Sequence, residues 1–451
     1  MIAAVAACKM AVVACRILGK GGTDKPGRLA LKLCPKVLTH LSKKVNTVII
    51  TGTNGKTTTS RIVEKGLKDA GYDCFANRSG ANLLSGIVTC FAQNANIFGS
   101  PKHGWAVIEC DEAALKQVSR HIKPVSLTVT NIFRDQLDRF GEVSHTIASI
   151  KEGISNIPQS TLCLNADCSM TWSLATDKNP VVSFGVDVPT YESGVTDLSD
   201  APYCIHCKTK YEYSHRTFAH LGSWSCPGCG YKRPEVNVAA TAVHSSTDEG
   251  SLITLKIGEK EDKTFVNLAG GYNIYNACAA AATLKNAGVD DATVRGALSA
   301  FEGGFGRMES MDINGLKVRM VLVKNPTGCN QTLNYLTNLK EKALFIICLN
   351  DHAGDGTDVS WIWDTEFENL AKHKDMLSGL WVSGIRADEM AMRLKYAGFD
   401  ESEVRVIHDY DTLLGEMTAQ SAPVYIMPTY TAMMDLRGVM QKRFNLKEFW
   451  K

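Results

Sequence analysis

The sequence lacks the features that would assign a chain to a nucleic acid, to a bilayer or to the outside of a cell. Across 451 residues, 49 lysines and arginines face 47 acids, and no block of like charge forms a tail or a polybasic clamp. Composition therefore gives no reason to expect a nucleic-acid partner. No apolar stretch is long enough to span a membrane. The first nineteen residues are rich in Ala, Val and Cys but lack the basic start of a secretion signal, and Lys9 and Arg16 interrupt the apolar run. Those two cations are seven apart and share one helical stripe, with Lys20 a turn further on. An amphipathic helix packed on the domain is expected, with a position on a membrane surface as the lesser reading.

What is plentiful is cysteine. Eleven of the fifteen are scattered singly, often inside apolar runs such as those holding Cys110 and Cys348, which fits a reducing cytosol. With 45% hydrophobic and 21% charged residues, the chain is long enough for two or three domains with substantial cores.

Residues 48 to 59, an apolar strand running into Gly-Thr-Asn-Gly-Lys-Thr-Thr-Thr, read as a phosphate cradle. Gly52 and Gly55 let backbone N–H groups of the loop, with Thr53 and Asn54 between them, turn toward an anion at the start of a helix beginning near Lys56. Lys56 would reach the terminal phosphates of ATP, Thr57 would hold Mg²⁺, and Thr58 completes the first turn. Only two residues separate the glycines, where the common nucleotide loop has four before its Gly-Lys pair. A second strand, 105 to 109, ends in Glu109, Asp111 and Glu112. Ligands of open α/β sheets sit at the carboxyl ends of strands, so Glu109 is the expected second Mg²⁺ ligand. Asp111 and Glu112 serve equally well as first-turn acids of the following helix.

Cys204, Cys207, Cys226 and Cys229 form two Cys-x₂-Cys knuckles separated by residues 208 to 225. Four thiolates at that spacing close a tetrahedral shell around Zn²⁺ and leave no position for water, so the expected zinc is structural. His206 and His215 are expected to face solvent or to support the ligands. Beyond Glu309, strand-like runs at 317–323, 343–349, 379–383, 404–407 and 423–427 predict a second, small parallel sheet. Its most polar loop carries Asp351, Asp355 and Asp358 among glycines, an arrangement suited to presenting a carboxylate outward, and equally to a backbone turn. No Gly-x-Cys-x-Gly nucleophile elbow is present, and Gly328-Cys329-Asn330, the nearest approach, is expected to be a loop.

Thr51 to Thr58 resembles the phosphate loop of the Mur ligase family, which also includes folylpolyglutamate synthases. Three later segments agree in order. Asn131, Asp135 and Asp138 match a Thr-Asn-x-x-x-Asp-His-Leu-Asp pattern, with Gln136 in place of His. Gly270 to Ala277 matches the segment whose polar side chains face adenine, with Asn273 the first choice for the base, Asn276 the second, capping the competing role for either, and Tyr272 in place of His. Phe305 to Glu309 matches the Gly-Arg-x-Glu whose arginine, here Arg307, meets phosphate. Together with the four-Cys insertion and the Asp-Gly-x-Asp-x-Ser-Trp-Ile-Trp-Asp run from Asp355 to Asp364, Gln136 and Tyr272 make the chain similar to the MurT-type branch over nearly its full length.

The resemblance implies an α/β fold: a Mur ligase-like P-loop ATPase domain over 46–310 with a zinc ribbon inserted at about 200–235, preceded by a helical segment over 1–45 and followed by a smaller Rossmann-like α/β domain over 311–451. It implies ATP, Mg²⁺ and structural Zn²⁺, and ATP-dependent amidation of the D-glutamate carboxylate of lipid II through an acyl phosphate. Lys56, Glu109 and Arg307 would act on the phosphoryl group. Ammonia would come from a class I glutamine amidotransferase (GatD-type) subunit in a heterodimer, with Asp355, or failing it Asp351, orienting the partner's catalytic His. The implied location is cytoplasmic, peripheral at the inner face of the plasma membrane. The rival enzyme is a stand-alone amino-acid ligase acting on a cell-wall precursor or folate, which activity without a partner would reveal. The rival from another class is a zinc-ribbon ATP-binding module without chemistry.

Overall fold

The computed structural model describes residues 1–18, 22–77, 81–134, 143–190, 200–247, 249–302, 307–339 and 341–446. β1 (Asn46–Thr51) is buried from its second residue on and lies deep within a nine-stranded sheet. β2 (Cys74–Ala76), β3 (Trp105–Glu109), β4 (Ser126–Val129), β5 (Thr161–Asn165) and β6 (Val181–Val186) complete its parallel part in the order β2-β3-β1-β4-β5-β6. Helices cover both faces of such a sheet, which is why Val48, Ile49 and Ile50 form an unbroken apolar run with no exposed surface.

The Lys56–Asp69 and Tyr272–Asn286 helices pack against each other on this sheet. Small side chains permit the approach. Ala279 to Ala282 are fully buried, and a Cβ on Gly66 would fall 2.5 Å from Leu284 Cδ1. Three helices, Ile2–Ile17, Lys25–Leu33 and Val37–Ser42, precede β1 and insert Val5, Cys8, Ala30, Val37, Leu38 and Leu41 into the same core. Pro26 and Gly27, residue types that read as helix breakers, already belong to the second helix. Gly27 is there for contact rather than for a turn: a Cβ would sit 1.8 Å from the Ser85 carbonyl oxygen of the Leu84–Gln93 helix.

Between β6 and its parallel neighbour β9 (Val238–Ser246) the chain leaves the sheet and forms a separate hairpin, β7 (Glu212–Phe218) with β8 (Leu221–Ser225). β10 (Ser251–Ile257) and β11 (Lys260–Val266) then extend the large sheet antiparallel. The second sheet runs β12 (Arg307–Ile313), β13 (Leu316–Val321), β17 (Val424–Pro428), β14 (Ala343–Cys348), β15 (Leu377–Ser383), β16 (Val404–Val406). All its pairings are parallel except β12 with β13. Arg307 to Ile313 thus already belong to the second unit, a few residues before position 310. Gly328-Cys329-Asn330 is not a loop. Asn325 caps, and Pro326 opens, a helix Pro326–Thr337 that buries Cys329, and burial pushes that thiol up to about 12.

Candidate active site

The loop after β1 is shaped by two left-handed glycines, Gly52 at φ +122° and Gly55 at φ +83°. A Cβ on Gly55 would meet Asn276 Oδ1 at 2.0 Å, and one on Gly52 would meet Thr130 Oγ1 at 2.3 Å. The loop therefore tolerates no side chain at either corner. Its remaining residues are braced from β4. Asn131 accepts from Asn54 N–H (2.9 Å) and donates to Asn54 O (3.0 Å), Thr130 Oγ1 donates to the same carbonyl (2.7 Å), and Thr53 N–H donates to Asn131 O (2.9 Å). Asn131 here holds the cradle open, its amide spent on the loop backbone. Asp135, Gln136 and Asp138 lie outside the described residues.

Lys56 is folded back on the loop, donating to Gly52 O (2.5 Å) and pairing with Glu112 (3.2 Å), both side chains nearly buried. The acids after β3 divide their work. Glu109 Oε2 accepts from Thr57 Oγ1 at 2.6 Å, so the two residues expected to share a cation are in contact. Asn77 fixes the Glu109 backbone through both its N–H and its carbonyl, at 2.8 Å each. Asp111 caps the next turn by accepting from Ala113 and Ala114 N–H. Glu112 is instead the buried counter-charge of Lys56: burial raises its carboxyl and the ammonium pulls it back. The sequence left Glu112 between a first-turn acid and a catalytic one and gave no sign of Lys56 as its partner, since the pairing spans 56 positions. Thr57 and Glu109 are a hydroxyl and a carboxylate oxygen at the mouth of a phosphate loop, a donor set that fits a hard divalent cation.

A cleft of ≈ 90 Å³ opens beside the loop, lined by Asn54, Gly55 and Thr58 on one side, Tyr272, Asn273 and Asn276 on the second, and Lys324, Asn325 and Gln331 on the third. Asn273 donates to Ala269 O (2.7 Å) and accepts from Asn276 Nδ2 (2.9 Å), so the two amides present themselves as a linked pair. Asn325 Nδ2 reaches Asn54 Oδ1 at 3.2 Å and ties the second unit to the phosphate loop. Sequence reading passed over Lys324 and Asn325, although Asn-Pro before an apolar helix is itself a helix-start signal. Arg307 opens β12 opposite Val321; its side chain lies outside what the structure describes.

The four cysteines converge: their sulfurs lie within 4.8 Å of one another, with Cys204–Cys229 at 3.6 Å and Cys207–Cys226 at 3.3 Å. Four Zn–S bonds of ~2.3 Å in a tetrahedron require sulfurs about 3.8 Å apart, so the donor set fits zinc. His206 packs edge-on against Tyr231, and His215 bonds Val186 O at 3.2 Å. Behind the knuckles, Trp224 donates to Ala166 O, and Arg233 donates to the buried Asp167, whose other oxygen accepts from Tyr275 OH at 2.7 Å. The hairpin is thus wired to the helix that carries Asn273 and Asn276.

In the second unit, Asp355 turns inward. It accepts from Thr431 N–H (2.6 Å), Thr431 Oγ1 (2.5 Å) and His352 N–H (3.1 Å), holding the start of the Tyr430–Phe444 helix. Asp351 pairs with Arg386 at 2.6 Å, and Asp358 accepts from Ser360 N–H and Oγ.

A short phosphate loop on a parallel sheet, followed by a second α/β unit closing over it, is the arrangement of the Mur ligases. The Mur ligase middle-domain model matches residues 50–200, and the MurT ligase C-terminal model matches 322–433. Among solved structures, a pseudomurein peptide ligase type C from Methanothermus fervidus superposes with a TM-score of 0.66 at 20% identity, covering 89% of this chain and 79% of that one. The lipid II isoglutaminyl synthase (glutamine-hydrolyzing) subunit MurT of Streptococcus pneumoniae is 34% identical over 434 residues, 94% of each chain, and that of Staphylococcus aureus 33% identical over 442 residues, 97% of each. The chain belongs to the MurT family and is an ATP-dependent ligase.

Proposed function

We propose that this chain amidates the D-glutamate carboxylate of the lipid II stem peptide to D-isoglutamine, at the expense of ATP and with ammonia released by a class I glutamine amidotransferase (GatD-type) subunit bound to it as a heterodimer. The observation that carries the reading is the Thr57–Glu109 contact beside Lys56 on a braced phosphate loop, in a chain related to MurT subunits along nearly its whole length.

A carboxylate resists ammonia because oxide is its leaving group. Attack of a carboxylate oxygen on the γ-phosphorus, with ADP leaving, converts it to an acyl phosphate. Ammonia then adds at the carbonyl carbon, phosphate leaves, and a proton is lost. Lys56 swings from Glu112 and the Gly52 carbonyl to the transferring phosphoryl group, while Arg307 supplies a second cation. Mg²⁺ held by Thr57 and Glu109 would neutralise phosphate charge. The loop from Gly52 through Thr53, Asn54 and Gly55 to Thr58 wraps the phosphates, held in shape by the Thr53 and Asn54 N–H groups that donate to Asn131; Asn273 and Asn276 face the base. Zn²⁺ on Cys204, Cys207, Cys226 and Cys229 would brace the inserted hairpin. Asp355 orients the partner's histidine, with Asp351 second. The site of action is cytoplasmic, at the inner face of the plasma membrane.

The test is mass spectrometry of lipid II incubated with the co-purified glutaminase complex, ATP, Mg²⁺ and glutamine. A product about one mass unit lighter, as replacement of hydroxyl by amine at an acyl phosphate requires, and absent with Lys56→Ala, is expected. Unchanged lipid from zinc-loaded, folded complex overturns the reading in favour of a stand-alone ligase.

A further inference from the structure

Charge is segregated along the chain. Residues 1–45 carry nine lysines and arginines against a single acid, Asp24, whereas the remaining 406 residues carry 40 against 46. The cations are dispersed rather than run together, so the excess emerges only when they are placed on helices. In Lys25–Leu33 the exposed residues include Lys25, Arg28 and Lys32, three or four positions apart on one face, with Leu29 and Leu33 exposed beside them; exposed Lys36 follows in the connection to the Val37–Ser42 helix. Arg28 pairs with half-buried Asp24, whose carboxylate also accepts from Ser85 Oγ.

The Ile2–Ile17 helix supplies the apolar half. Ala4, Val5, Cys8 and Val12 pack inward. On the opposite stripe Ile2, Met10, Val13 and Ile17, with Leu18 after them, each leave half or more of their surface in solvent. Positions 2, 10, 13 and 17 fall within about 80° of one another around a helix. Phe98, 62% exposed, extends the stripe, since its neighbour Gly99 lies against Met1. Both helices pack on the Leu84–Gln93 helix, so their outer faces point away from it. A helix apolar on two faces needs a second covering, and the surrounding cations select one that is anionic.

We propose that the outer faces of these two helices form a docking surface for an anionic phospholipid bilayer, the apolar stripe dipping into the acyl boundary and the lysines meeting headgroup phosphates. The chain would lie on the membrane rather than cross it, consistent with the absence, among the described residues, of a helix long and apolar enough to span. Only the purpose of this surface, access to a lipid-linked substrate, rests on the function proposed above.

The experiment is co-sedimentation of the full chain, alone and with its glutaminase subunit, with phosphatidylcholine vesicles and with vesicles containing about a third phosphatidylglycerol. Binding to the anionic vesicles that weakens with salt is expected. Lys25→Gln with Lys32→Gln and Lys36→Gln should lower partitioning about a hundredfold, roughly fivefold per charge. Met10→Gln with Ile17→Gln should lower it at least about tenfold. All five side chains are solvent-facing, so the melting temperature should not move. Equal partitioning to neutral and anionic vesicles, or no loss in either variant, overturns the proposal. Sedimentation velocity showing a wild-type dimer dissolved by Met10→Gln with Ile17→Gln would assign the face to a second copy, and binding abolished by the glutaminase subunit would assign it to that partner. Turnover of detergent-dispersed lipid II should survive in both variants, which separates this failure from failure of the amidation reading.

Discussion

Lys56 and Glu112 show how one side chain is kept charged, buried and available. An ammonium needed for phosphate would be costly in a closed loop without a counter-ion, and the Glu112 carboxylate, itself almost wholly buried, supplies it. Burial outweighs the ammonium in setting this carboxyl, so Glu112 holds a proton more tightly in the folded chain than its ordinary value of 4.5 would give. An acid whose folded value is raised binds more protons in the native state, so its contribution to stability falls as pH rises from about that ordinary value through the raised one. Relative to Glu112→Gln, which has no proton to lose, the wild type should therefore lose melting temperature across this window and then run parallel to the variant. Scanning fluorimetry from pH 4.5 to 8 checks this; a wild-type advantage that instead grows with pH would mean that Lys56 holds the acid ionised. The residues legible in the sequence were those whose partners are local. Gly52, Gly55, Lys56 and Thr57 belong to one turn, and Glu109 was found from its place at a strand end. Glu112 and Asn77 were not, because nothing near them in the chain signals an ammonium 56 positions away or a strand end 32 positions away.

The inserted hairpin illustrates the same divide between local signal and distant wiring. Its knuckles could be read from spacing alone, yet the sequence does not reveal that Arg233, just beyond the second knuckle, holds Asp167 while Tyr275, 108 positions from Asp167, holds the other oxygen. Burial raises the Asp167 carboxyl and Arg233 opposes it, so this junction depends on the guanidinium staying in place. Removing one ligand, as in Cys229→Ser, should abolish the expected single equivalent of bound zinc by elemental analysis and lower the melting temperature by several degrees, because metal binding energy of such sites is folding energy. The loss should not stop at the hairpin: with Arg233 loosened, Tyr275 and the neighbouring Asn276 lose their support, and ADP affinity should fall a few fold by calorimetry. Full ADP affinity in a zinc-free variant would show that the ribbon braces only itself. The fold class followed from the family resemblance, and most strands of the second unit from their apolar runs. The early start of the second helix and the helical setting of Cys329 did not, since Gly27 and Gly328 read as breakers until their contacts across the chain are known.

How the two units and a glutaminase subunit would act together turns on Asp355. Seen alone, it is a structural carboxylate: three hydrogen bonds bind it to the Tyr430–Phe444 helix and to His352, and almost none of it is exposed. That geometry is also what an orienting acid needs, since a carboxylate fixed by N–H and O–H donors can hold a partner's imidazolium without itself moving. The two roles give different results when the support is cut instead of the charge. Asp355→Asn removes the charge and weakens the cap, and Thr431→Val removes the hydroxyl that donates to Oδ2 and accepts from Asn350 Nδ2 while leaving the charge; each should cost roughly 1–3 kcal/mol of stability. If Asp355 acts across the interface, Asp355→Asn should abolish amidation with glutamine and leave amidation with free ammonia, because Lys56, Thr57 and Glu109 are untouched. Thr431→Val, at a comparable melting temperature, should retain most activity with both donors. Equal loss of glutamine-dependent activity in the two variants would mean that the interface merely needs an intact helix start, and would move the orienting role to Asp351, whose pairing with Arg386 would then have to open when the partner binds.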